Sequence, residues 1–141
     1  MKIYNGDGII LGRLASAAAK DALLGEEVRI VNTEKVIISG KKEVVFAYEK
    51  QRFNRMGHPA RSERHTRTPD RLVRRSVRGM LPWKFTRGKE AYKRVRCYHG
   101  IPAEFSTEKL IVLTKESTKK LPTLRYATVR EVCKNVGGKS I

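Results

Sequence analysis

At 141 residues, with 40% hydrophobic side chains, the chain is long enough for one domain with its own core. Its 31 basic residues against 14 acidic ones leave a formal charge of +17, a self-repulsion that a free enzyme has little reason to carry and that a polyanionic partner relieves. No window approaches the ~18 uncharged apolar residues of a membrane span, the N-terminus "MKIYNGDGII" lacks a signal peptide's apolar core, and Cys97 and Cys133 each lack a paired neighbour, which sets aside membrane proteins, disulfide scaffolds and zinc ribbons.

Residues 2–4, "KIY", read as a first strand, followed by the turn "NGDG". From Ile10 the apolar period becomes helical through Leu11, Leu14, Ala15, Ala18, Ala19, Ala22 and Leu23, and Gly25 stops it. "EVRIVN" (27–32) reads as a strand, and "KVIIS" (35–39) is a second short apolar run before Gly40. "KKEVVFAYEKQRF" (41–53) is helical through Val44, Val45, Tyr48 and Phe53. This alternation predicts an α/β layer on a mainly parallel sheet. "NRMGHPARSERHTRT" (54–68) has no apolar period and reads as a basic, extended loop. Thr68, Pro69 and Asp70 then mark a helix start, with a hydroxyl N-cap, proline at the first position and an acid in the first turn. A second helix, "GKEAYKRVRCY", starts near Gly88 and runs into a strand near "RCYHG". "EKLIVLT" (108–114) reads as a strand. "TVREVCKNVGG" (128–138) reads as a helix with a Thr128/Glu131 capping box and Gly137 as its stop.

The excess charge sits in the middle of the chain: residues 1–50 carry a net +1, residues 51–100 carry +12 and residues 101–141 carry +4. Arginine dominates there, and its planar fork matches phosphate oxygens and stacks on bases, which favours nucleic acid over a membrane surface. On a wheel of about 100° per residue starting at Leu72, the residues Ser76, Met80, Val73 and Val77 span 0° to about 140°, whereas Arg74, Arg78, Arg71 and Arg75 span about 200° to 300°. A merely solvated helix interleaves acids for i,i+4 pairs, and only Asp70 is present. The preceding loop adds Arg52, Arg55, Arg61, Arg64 and Arg67, with His58 and His65 able to stack or donate hydrogen bonds. Lys84, Arg87, Lys89, Lys93, Arg94 and Arg96 form a third basic element. Trp83 reads first as an anchor of the turn in the core, with stacking on a base as the lesser alternative.

"GDGIILG" (6–12) spaces its glycines as G-x-G-x-x-x-G, a loosened dinucleotide fingerprint, with Glu34 as the acid placed for a ribose. The competing reading is a tight βα turn. No Ser/His/Asp set, acid pair or metal-ligand spacing appears. A free DNA-binding protein is disfavoured because the arginine helix has no evident dimer partner or base-reading Asn/Gln set.

"VRGMLPWKFTRGKEAYKRVRCYHG" (77–100) resembles the signature of the universal large-subunit ribosomal protein family numbered thirteen, in its archaeal and eukaryotic style. "LGRLAS" (11–16), "VNTEKVIISGKK" (31–42) and "RTPDRLVRRSVRGML" (67–81) match it in the same order, so the resemblance spans almost the whole chain from residue 3. Cys97 departs from the family's usual small aliphatic residue and reads as a packing substitution. The resemblance implies a three-layer α/β/α, Rossmann-like domain over residues 1–141, with a four-stranded, mainly parallel sheet and a basic loop-helix extension. It implies a non-enzymatic, cytoplasmic and ribosome-bound protein, without cofactor or small-molecule substrate. Its partners would be 23S-type large-subunit ribosomal RNA, bound through a basic region at 52–99, and neighbouring large-subunit proteins. A part in early subunit assembly follows from the resemblance alone.

Overall fold

The computed structural model describes residues 1–55, 66–113 and 121–138. In chain order the elements are β1 (Lys2–Asn5), α1 (Leu11–Leu23), β2 (Val28–Val31), β3 (Ile37–Ser39), α2 (Lys42–Asn54), α3 (Pro69–Met80), α4 (Thr86–Arg94), β4 (Val95–Cys97), β5 (Tyr126–Thr128) and α5 (Val129–Asn135), with 3-10 turns at Thr33–Lys35 and Ala103–Phe105. Mixed α/β structure is thus present as expected. No helix among the described residues is long and apolar enough to cross a membrane.

β1, β2 and β4 form a parallel sheet in the order β1-β2-β4, with Lys2 opposite Val28 and Val28 opposite Val95. Val28, Ile30, Val31 and Val95 are fully buried, as expected for parallel strands covered by their crossover helices. α1 is the crossover from β1 to β2. Its Leu14, Ala15, Ala18, Ala19 and Ala22 form the buried stripe that the three-and-four spacing predicted. The small alanines let α3 pack closely on α1, the most extensive helix pairing among the described residues.

Among the described residues the parallel sheet has three strands, where four were expected. Of the run 108–114, whose residue 114 lies outside the described residues, 108–113 contribute one parallel bridge, Ile111 opposite Tyr4, closed by Ile111 N–H to Ile3 O at 2.7 Å and Asn5 N–H to Ile111 O at 3.0 Å. The pairing stops because β1 turns away after Asn5. Gly6 N–H goes to Val31 O and Asp7 N–H to the Asn5 side chain, so the ladder does not continue past Asn5. β3 also leaves the parallel layer. It pairs antiparallel with β5, a strand hidden from the sequence reading, with Ile37 opposite Thr128. α2 forms where its spacing placed it, but Val44 and Tyr48 are exposed and no residue of the helix is buried. It rests on α5 and β5 and does not enter the core.

The capping box of α5 is formed in full, with Glu131 N–H donating to Thr128 Oγ1 at 3.2 Å and Thr128 N–H to Glu131 Oε2 at 3.0 Å. Lys42 of α2 reaches the same carboxylate at 2.7 Å. Thr68 occupies the N-cap position of α3, yet its buried hydroxyl has no hydrogen-bond partner, which corrects the expected hydroxyl cap. Pro69 takes over the start, since its fixed φ suits the first turn and it has no N–H to satisfy.

Asp21 is a buried carboxylate facing Tyr4 and Lys2, with Lys2 Nζ at 2.9 Å and the Tyr4 hydroxyl donating to its other oxygen. Burial pushes its pKa up, but the Tyr4 and Lys2 hydrogen bonds outweigh this and hold it below the ordinary 3.8. A depressed carboxylate stabilises the fold above its unfolded pKa and loses that contribution as pH falls through the folded one. Thermal melts of Asp21→Asn should therefore show a weaker fall in stability below about pH 4 than wild type. Parallel pH curves would contradict this role.

Candidate nucleic-acid interface

The 3.6-residue period of α3 divides its side chains into two faces. Val73 and Val77 are completely buried and Leu72 packs on the core, while Arg71 and Arg78 are exposed and Arg74 and Arg75 are half-buried. Met80, which the wheel grouped with the apolar face, is 43% exposed and accepts from Ser16 Oγ. Leu81 seals the helix end instead.

The arginine face is laid on aromatic rings. The Arg74 guanidinium lies 4.5 Å from the centroid of Tyr92, and Arg78 lies 4.1 Å from Trp83. Trp83 and Tyr92 meet edge to face at 5.2 Å. Trp83 is therefore not the core anchor first expected. It is 36% exposed, because Leu81 already occupies the interior and the indole supports Arg78 from outside. Tyr92 was missed by the sequence reading, although Gly88, Ala91, Tyr92 and Val95 share the spacing of one helix face. Stacking holds both guanidinium groups in place; Arg74 Nε is buried there without a hydrogen-bond partner, while Arg78 is exposed and keeps its N–H edge available to phosphate oxygens.

Around this stack the field is strongly positive. Burial lowers the Arg75 pKa from its ordinary value, and the nearby cations of Arg52 and Arg78 lower it further. That like-charge crowding is what a bound anion relieves. A cleft of about 570 Å³ between the start of α3 and β4 is lined by Arg71, Arg74, Lys93 and Arg96, with Asp70, Cys97 and Tyr98. Asp70 Oδ1 lies 3.3 Å from His99 Nε2, an ion-pair distance without hydrogen-bond alignment. Burial pushes the Cys97 thiol up to about 12 despite Arg74 nearby, so it is a packed side chain and no thiolate nucleophile.

The remaining candidates fall in different places. Arg52 pairs with Glu49 at 3.1 Å, Arg67 stacks 4.6 Å from the Phe53 ring, and Arg55 is exposed. Lys84, Arg87 and Lys89 are exposed around the α3–α4 turn and the start of α4. Arg94 donates to Ala22 O at 3.2 Å, satisfying a carbonyl at the C-terminal end of α1. His58, Arg61, Arg64 and His65 lie outside the described residues.

The model of the family "Ribosomal protein L13" matches residues 1–104, about three quarters of the chain. The chain belongs to the ribosomal protein L13 family. Relatives described as large ribosomal subunit protein uL13 include one from Methanococcoides burtonii, 40% identical over 139 residues and covering 99% of both chains. Another from Methanocaldococcus jannaschii is 39% identical over 142 residues with the same coverage. A third, from Natronomonas pharaonis, is 40% identical over 128 residues, covering 91% of this chain and 85% of its own. L13 proteins are structural and non-enzymatic. A Cβ on Gly6 would come within 2.7 Å of Val36 and 3.0 Å of Val31 O, Gly8 takes φ +66°, and Glu34 accepts from Gly100 N–H. The glycine turn is a packed βα corner, and Glu34, the acid placed for a ribose, is already engaged.

Proposed function

We propose that this chain is a structural constituent of the large ribosomal subunit that binds 23S-type ribosomal RNA through the arginine face of α3, and that it supports early subunit assembly. The observation that carries this reading is the division of α3 into a buried valine face and a ring-supported arginine face. Arginines there displace counterions and clamp phosphates, while the cleft between α3 and β4 receives the backbone at an angle to the helix. The basic segments at 52–67 and 84–96 extend the same field, including His58, Arg61, Arg64 and His65. Neighbouring large-subunit proteins would meet the less basic faces, and the parallel Ile111 bridge beside β1 supports a fourth strand in a three-layer domain. Tagged protein expressed in cells should co-migrate with large subunits in a sucrose gradient. Recovery only at the top of the gradient would contradict the reading.

A further inference from the structure

The turn between α3 and α4 presents more apolar surface than its surroundings explain. Met80, Trp83 and Phe85 are all exposed within six residues, and Phe85 is 65% exposed with no ring partner among the described residues. Single exposed apolar side chains are ordinary, but three in one turn form a patch. The backbone that carries this patch is held closely. Leu81 is buried in the same turn, Phe85 N–H donates to Pro82 O at 3.0 Å, and Gly88 sits so close to Pro82 that a Cβ would come within 2.2 Å of its carbonyl oxygen. The patch also lies in a stretch, from Arg71 to Lys89, that contains no acidic residue. An exposed ring carried on a fixed turn among cations matches an unpaired nucleobase, whose π face stacks while its phosphates meet the flanking charges.

We propose that the α3–α4 turn is a nucleobase-stacking site, in which an unpaired base of the RNA partner lies on the Phe85 ring in the same turn as the Arg78–Trp83 stack. This rests on the RNA-binding reading and adds a base-dependent component to its phosphate contacts. Trp83 is the chain's only tryptophan, so its fluorescence reports on this turn alone.

The test uses the full chain with two probes of equal length, an oligoadenylate and the corresponding abasic ribose-phosphate oligomer. Wild type should bind oligoadenylate on the order of tenfold more tightly than the abasic strand, and only the former should quench Trp83. Phe85→Ala should lose the difference while keeping affinity for the abasic strand. Phe85→Tyr, which retains the ring, should preserve it. Equal binding of both probes by wild type would overturn the stacking site and leave phosphate binding standing; binding of neither would overturn both readings. A base preference without quenching, or one that survives in Phe85→Ala, would move stacking elsewhere. Impaired subunit entry of Phe85→Ala with an unchanged base preference would assign the ring to a protein neighbour and overturn the proposal.

Discussion

Replacing Arg74, Arg75 and Arg78 together by glutamate should abolish binding to large-subunit RNA and entry into the subunit. Each phosphate contact contributes about 0.9 to the slope of log affinity against log salt on duplex nucleic acid, so three lost contacts lower it by about 2.7. Carried from 1 M to about 0.1 M salt, that is on the order of 10²–10³ in affinity, before the repulsion of three new carboxylates is added. The substitutions also remove the stacking of Arg74 on Tyr92 and of Arg78 on Trp83, worth about 0.5–2 kcal/mol each. The variant should melt earlier yet remain folded, since Val73, Val77 and the α1–α3 contact are untouched. Filter binding across a salt series measures the slope, and circular dichroism verifies the fold. Arg71→Glu with Arg87→Glu, at exposed positions, repeats the charge reversal away from the rings. Wild-type affinity and slope in a folded triple variant would remove the arginine face from the interface.

The second large effect is on the fold itself. Gly88→Ala should destabilise the protein by about 3 kcal/mol or more, because the colliding atoms are backbone and cannot rotate away. The new Cβ would stand 2.2 Å from Pro82 O and 2.5 Å from Pro82 C, so α4 has to lift off the preceding turn. Lifting α4 also displaces Tyr92 from beneath Arg74, so RNA affinity should fall together with the melting temperature. Gly12→Ala provides the opposite sign: it sits in α1 with nothing within 4 Å, where alanine favours the helix by up to about 1 kcal/mol. Differential scanning calorimetry of the two variants separates them. Equal melting temperatures would show that the approach at Gly88 is not a constraint.

What was legible in the sequence was what depends on short-range periodicity and local chemistry. The α1 alanine stripe, the two faces of α3 and the Thr128/Glu131 box are all written within one or two helical turns. What escaped depends on residues far apart in the chain. β5 is three residues long and becomes a strand only because Ile37 lies opposite Thr128. The run at 108–114 has the composition of a strand, but among its described residues it makes one bridge to β1, which turns away at Gly6. Arg94 looks like its basic neighbours until the C-terminal end of α1 is brought beside it. Trp83 looks like a core residue until Leu81 is found to have taken that place.

The rings beneath Arg74 and Arg78 also bear on time. A free arginine side chain carries about 2 kcal/mol of rotamer entropy that must be surrendered when it grips a phosphate. For these two, much of that loss has already occurred during folding, at distances of 4.5 and 4.1 Å from their aromatic supports. An encounter with the partner therefore finds two hands already open. Productive collisions need less searching, and the face can engage its partner while the surrounding particle is still changing shape.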